Sequence, residues 1–332
     1  MDREQEELQS LGFFGILKET FKLVHSWRKV FSQITLALIL PLSFIFLAHF
    51  QISQTIFFKI LIHEDARDHT LTNTPNYEKL SDIISSEWTL FWLFKAAYFT
   101  FYLILSLLST SAIVYTIACI YTGKQVTFKK VIKVVPKVWK RLMVTFLWSF
   151  AIVFVYNIVA IALIVLWIVF VGPVTIGIVV LVLFLILYLV GFVYIGIVWH
   201  LACVVSVLEE VYGIQALKRS KALIKGKMGI GVAFFIFIGF WYLVIKLLFE
   251  HLVVLGVVPG IAIRIGIGIL CFMMLFMVIL FSLVIQTVIY FVCKSYHHEN
   301  IDKSSLAYHL EVNLGEYVPL REKDIQLGEL HA

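Results

Sequence analysis

The chain has 332 residues, of which 61% are apolar and only 14% charged, with a mean hydropathy of +0.97. Soluble domains hold about 45–50% apolar and about 25% charged residues, so a polytopic membrane protein is the class that fits. The net charge of +6 is modest, and the basic residues alternate with membrane-length apolar runs, which disfavours nucleic-acid binding.

The first residues, MDREQEELQ, are acidic and polar, unlike the basic start of a cleavable signal. Residues 12–29 read as a basic amphipathic helix, with Phe13, Ile16, Leu17, Phe21, Leu23, Val24 and Trp27 on one side. Lys18, Lys22, His25 and Lys29 take the other, and Arg28 closes the segment. The first span is expected over 30–50. Pro41 within it is tolerable where neighbours satisfy the freed carbonyl. Residues 51–87 are expected to be a polar loop, with six acidic residues against three basic ones.

The second span is expected over 88–121. Lys95 near its end can extend its stem to the headgroups, and Ser106, Ser109, Thr110, Ser111 and Ala112 allow close helix approach. A second amphipathic element, VTFKKVIKVVPKVWKR at 126–141, follows. Wound at 100° per residue, it places Phe128, Val131, Ile132, Val134, Val135, Val138 and Trp139 on one face. The other carries Lys129, Lys130, Lys133, Lys137, Lys140 and Arg141, with no acidic residue. Thr127 can cap it and Pro136 is expected to kink it. Such a helix is expected to lie flat on an anionic bilayer surface.

Spans over 142–171 and 174–208 follow, joined by Gly172-Pro173 and therefore antiparallel neighbours. A third basic amphipathic element occupies 209–227. Gly213, Ala216, Leu217, Ser220, Leu223 and Ile224 face one way, and Gln215, Lys218, Lys221 and Lys225 the other. Spans over 228–255 and 264–293 complete the set, with a turn at Pro259-Gly260, and a polar tail covers 294–332. Each unit is thus a basic helix, an outgoing span, a loop and a returning span, three times over. The fold class is all-α: a polytopic membrane helical bundle of six transmembrane helices in three hairpins.

Lysine and arginine are distributed unevenly. There are five in 1–29, seven in 123–141, five in 209–228 and four in 294–332. The opposite side carries three in 51–87 and only Arg264 in the last hairpin. The positive-inside rule puts both termini in the cytosol and the acidic loop in the lumen or outside. A multi-pass protein of the endomembrane system or plasma membrane is expected.

The run Glu209-Glu210, Ala216-Leu217-Lys218-Arg219-Ser220, Leu223, Lys225-Gly226-Lys227, followed by an apolar span, resembles one repeat of a bacterial membrane domain. That domain is attached to some glycerophosphodiester phosphodiesterases. The stretch from Gly12 to Phe50 and the tail around EVNLGEYVPL resemble a poorly characterised plant family of six-span proteins. Some of its members carry a loose label as binding a polyadenylate-binding protein. The resemblance implies six spans. It implies no phosphodiesterase activity, because the catalytic domain has no counterpart.

The cysteines Cys119, Cys203, Cys271 and Cys293 lack CxxC spacing, so neither a zinc site nor a disulfide framework is indicated. Cys119, Cys203 and Cys293 fall near the basic side, where palmitoylation is one use and an ordinary lipid-facing or core position the commoner one. His63, Glu64, Asp65, Asp68 and His69 are metal-ligand types without a metal motif, so a solvated acidic segment outweighs a metal site. Lys246 and Glu250 stand four apart and read as a paired helical turn or, less simply, a relay. His200, Asn157 and Gln286 can hydrogen-bond between helices.

There is no P-loop, nucleophile elbow or other catalytic set, so no enzyme and no cofactor are expected. The expected partners are the bilayer and its anionic headgroups, through Lys18, Lys22, Arg28 and Lys29, the six cations of 129–141, and Lys218, Lys221 and Lys225. A cytosolic protein could also be recruited through the tail, where Tyr317 and Leu320 frame a tyrosine-x-x-apolar pattern resembling a sorting signal. The alternative function is transport or lipid handling, with Lys95, Lys246 or Glu250 facing a polar cavity.

Overall fold

The computed structural model describes residues 9–70, 74–123, 126–171, 175–256 and 260–297. Among these there is no strand, and the protein is an all-α membrane helical bundle. The helices are α1 (Phe13–Ser26), α2 (Arg28–Asp68), α3 (Pro75–Tyr121), α4 (Phe128–Val171), α5 (Thr175–Leu208), α6 (Ile214–Leu223), α7 (Met228–Val254) and α8 (Ile261–Tyr296). Six of them, all but α1 and α6, are long and apolar enough to cross a membrane.

Two expectations need correction. The first is the polar loop at 51–87. It is helical, because α2 continues to Asp68 and α3 begins at Pro75. With 41 and 47 residues these helices are about 60 and 70 Å long, twice a hydrocarbon core of about 30 Å. The charged residues there sit on helices whose inner side buries Ile60 and Ile84. The second is the basic element at 126–141. It is not a separate helix, since α4 runs through Pro136 without a break from Phe128 to Val171. The Thr127 carbonyl accepts from the Lys130 and Val131 amides and opens it.

Pro41 is accommodated within its own helix. The backbone widens to a π-turn over Thr35–Ile39, where the Leu40 amide reaches back five residues to the Thr35 carbonyl. This opens the helix just where the proline ring would press on the preceding turn. Ser43 Oγ then donates to the Ile39 carbonyl at 2.8 Å. A second π-turn, Phe249–Val254, ends α7.

The chain divides into two compact units. The first comprises Met1–Val30, Thr110–Ala233 and Val284–Ala332, and the second Phe31–Ser109 and Phe234–Leu283. Within the second unit, α2 and α3 are antiparallel. Their contacts step in opposite directions: Phe46 to Tyr102 (6.2 Å between rings), His49 to Tyr98 (3.7 Å), Phe57 to Trp88 (6.4 Å). Helices α2 and α7 are parallel instead. Phe46 meets Tyr242, Phe50 lies under Lys246 and Gln54 bonds Glu250, so each contact advances one turn on both helices.

Within the first unit, α4 and α5 are antiparallel, with Phe146 on Trp199 and Tyr156 stacked on Tyr188. Helices α5 and α8 are parallel, with His200 bonded to Gln286 and Glu209 to Tyr290. These directions match outgoing and returning spans that alternate along the chain. The small residues of α3 lie where expected: Ser109, Thr110, Ser111 and Ala112 are buried. The connection at Gly172-Pro173, residue Pro259 and the tail with Tyr317 and Leu320 lie outside the described residues.

Candidate lipid-contact surface

Three helical segments of the first unit, α1, the first turns of α4, and α6, bury most of their apolar faces in the protein, although Phe21 and Ile132 remain exposed. In α1, Ile16, Thr20 and Leu23 are buried. In α4, Val131, Val134, Val135 and Val138 are all buried, and Val131 is 0% exposed. In α6, Ala216, Ser220 and Leu223 are buried. This corrects the expectation that the apolar side of 126–141 rests on the bilayer. Phe128 and Trp139 are half-buried.

The basic faces point outward. Lys18, Lys22, Arg28, Lys29, Lys129, Lys133, Lys140, Arg141, Lys218, Lys221 and Lys225 are exposed, and Lys130 is half-buried. The side chain of Lys137 lies outside the described residues. Lys22 has Glu19 4.0 Å away, a contact of little energetic weight at 74% exposure of the lysine side chain. On α1 the outward face is mixed: Phe14 is 82% exposed and Phe21 59%, interleaved with Lys18 and Lys22. Aromatic and cationic side chains on one helical face suit the boundary between headgroups and acyl chains.

What holds α6 in place is a polar clamp centred on Glu209. Its Oε2 accepts from Arg219 Nε at 3.2 Å, and its Oε1 accepts from Tyr290 OH at 2.7 Å. Lys294 Nζ lies 3.7 Å from Oε1, and its ring partner is Tyr290, at 5.7 Å. The glutamate side chain is only 16% exposed, so these donors replace most of its water. One carboxylate thereby ties the end of α5 to α6 and α8. Ser220 Oγ donates to the Val198 carbonyl at 2.8 Å, and the Gly213 amide donates to Thr145 Oγ1 at 2.8 Å. Gly213 adopts φ +63°, a left-handed conformation that favours glycine, and opens α6 directly over Trp148 and Val144.

The second unit gathers other polar groups within its spans. Lys95 Nζ lies 2.9 Å from His49 Nε2 and 5.1 Å from the centre of the Phe91 ring. Gln54 Nε2 donates to Glu250 Oε1 at 3.3 Å, while exposed Lys246 lies 5.5 Å over Phe50. The expected Lys246–Glu250 pair is therefore replaced by contacts of each residue to α2. The π-turn that begins at Phe249 alters the helical register between them.

The acidic segment pairs off locally. His63 Nδ1 lies 2.8 Å from Glu87 Oε2, Trp88 Nε1 donates to Glu64, Arg67 to Asp68, and His69 approaches Asp65. Among the described residues, no group of three or more His, Cys, Asp or Glu side chains is arranged to hold a metal ion. Cys119, Cys271 and Cys293 are buried, Cys203 is partly so, and all four are free thiols. The interhelical bonds expected of the span residues are present. Tyr188 OH donates to Asn157 Oδ1 at 2.8 Å, and His200 meets Gln286 at 3.2 Å.

Sequence reasoning missed His49, Tyr290 and Lys294 as members of these clusters. Their partners lie 46 to 85 positions away, beyond any helical period. The only available signal was the presence of ionisable residues at the ends of apolar runs. A family model described as Domain of unknown function (DUF8558) matches residues 1–330. No curated protein and no solved structure matches the chain.

Proposed function

We propose that this chain, which belongs to the DUF8558 family, is a non-enzymatic multi-pass protein that organises membrane by gripping anionic lipid headgroups at the cytosolic leaflet. One observation carries the reading. Lys18 and Lys22 of α1, Lys129, Lys133, Lys140 and Arg141 of α4, and Lys218 and Lys221 of α6 are exposed, while most of the apolar face of each segment is anchored in the protein. The bundle thus presents a preformed cationic surface, not three loose surface helices. Each lysine or arginine near an anionic leaflet contributes about 1 kcal/mol. Exposed Phe14 and Phe21 add apolar area at the depth where headgroups meet acyl chains.

The supporting sidedness comes from the lysine and arginine bias, which favours both termini in the cytosol of an endomembrane or plasma-membrane protein. The tail pattern at Tyr317 and Leu320 adds a docking point for a cytosolic partner in the same reading.

The test uses the intact chain. Wild type and a variant with Lys18, Lys22, Lys218 and Lys221 all replaced by Gln are extracted with their surrounding lipid in polymer discs. The ratio of phosphatidylserine plus phosphatidylinositol to phosphatidylcholine is then measured. The wild type enriches the anionic lipids over the source membrane, and the variant falls back towards the membrane average. Equal ratios in the two proteins would contradict the proposal.

A further inference from the structure

Lys95 is the most unusual cation in the second unit. It sits within the apolar helix α3, and among the described residues it forms no ion pair with a carboxylate. Its partners are a histidine nitrogen and an aromatic face: His49 Nε2 at 2.9 Å and Phe91 at 5.1 Å. An ammonium can only donate, so Nε2 must be the bare acceptor nitrogen. The proton of the neutral imidazole is then on Nδ1, which is buried and has no hydrogen-bond partner. The ring is held rigidly, stacked 3.7 Å from Tyr98 and 5.9 Å from Phe94. Lys95 thus keeps donor capacity beyond its bond to His49, and its positive charge is met by no carboxylate among the described residues.

The position of Lys95 on α3 shows which side a ligand would come from. Phe91, Phe94, Tyr98 and Tyr102 lie to one side of it around the helix and pack on α2 through Phe46, His49 and Phe57. Trp92 and Phe99 lie to the other side and are 65% and 45% exposed. Lys95 therefore marks the seam between the packed side of the helix and its lipid-facing side. A charge at such a seam is reachable from the surrounding lipid without opening the bundle.

We propose that this seam binds one anionic amphiphile per chain, with its phosphate held by Lys95 beside His49 and its acyl chain laid along Trp92 and Phe99. A phosphate supplies the acceptor oxygens that the Lys95 ammonium lacks, and the exposed rings supply the apolar track for a chain. The site belongs to the second unit and the cationic surface of α1, α4 and α6 to the first, and the site stands whether or not that surface binds lipid.

The test is retention of phosphatidic acid by the purified full chain, followed by native mass spectrometry, with inorganic phosphate as the competing probe. The wild type should keep one phosphatidic acid per chain through delipidation, and inorganic phosphate should not displace it. Lys95→Met should lower retention by about tenfold or more, the loss of a charge-assisted bond. His49→Phe, which keeps the stacked ring but removes the Nε2 acceptor that positions Lys95, should also lower it. Lys95→Arg should retain the lipid. The four-Gln variant at Lys18, Lys22, Lys218 and Lys221 should retain it too. Reactivity of the buried cysteines reports whether each variant is folded, and His49→Phe decides the matter if Lys95→Met is not. Undiminished retention in the folded variants would overturn the proposal. Displacement by inorganic phosphate would overturn the amphiphile assignment, because it would show a site for a free anion.

Discussion

Glu209 shows how much of the first unit rests on single polar contacts. Its carboxylate meets Arg219, Tyr290 and Lys294 from two different helices. Removing one member of such a largely buried set leaves the others unpaired, at a cost of about 3–5 kcal/mol when burial is complete. Glu209 keeps some water contact, so Glu209→Ala is expected to cost roughly 2–3 kcal/mol. The measurement is thermal exposure of the buried thiols of Cys119 and Cys293 to a fluorogenic maleimide, with an earlier transition in the variant. The Glu209–Arg219 half of this clamp lies in a stretch that stands out in the sequence by its resemblance to a bacterial membrane domain. The Tyr290 and Lys294 half was illegible, because nothing local marks a partner more than eighty positions away. The same holds for His49 and Lys95. An ionisable residue at the end of an apolar run can be seen in a sequence, but the neighbour that meets it cannot.

At the scale of the element, the period of 126–141 specifies a helix but not what its apolar face rests on. A helix with one apolar and one basic face satisfies the same 100° pattern whether it rests on lipid or on protein. The distinction lies in what else in the chain offers an apolar surface, and here the chain supplies its own. Val131 at 0% exposure decides the matter for α4. Val131→Asn is accordingly expected to destabilise the first unit by about 2–3 kcal/mol through an unsatisfied buried amide. The same thiol-exposure transition measures it. An unchanged transition would mean that the face is not packed in the protein. The hairpin of α2 and α3 carries a related lesson. Its charged residues suggest a loop, yet Ile60 and Ile84 are buried, and His63–Glu87 and Trp88–Glu64 join the two helices. Polar composition marked exposure to water, not loss of helix.

For the molecule as a whole, the six spans are legible because apolar runs of membrane length leave few alternatives, whereas the limits of the first three spanning helices, α2, α3 and α4, are not. Their pairing was legible only in part. Antiparallel neighbours follow from short connections, as for α4 and α5, whereas the parallel pairs α2 with α7 and α5 with α8 involve segments far apart in sequence. Those parallel pairs join spans one and five, and spans four and six. Within each unit these directions are the ones that spans alternating along the chain would have. Such an alternation would gather the three basic segments on one side, which is the premise of the proposed function.

The most direct test of that premise is site-directed labelling in sealed cells with a membrane-impermeant maleimide. Single cysteines replace Lys18, Lys140, Lys221 or Glu78 in a chain whose native cysteines are changed to Ser; all four positions are exposed. The account predicts that the Cys at 78 is labelled from outside, or from the lumen of an intact organelle. The Cys at 18, 140 and 221 should label only once the cytosolic side is opened. Labelling of any one of those three from the same side as position 78 would contradict it.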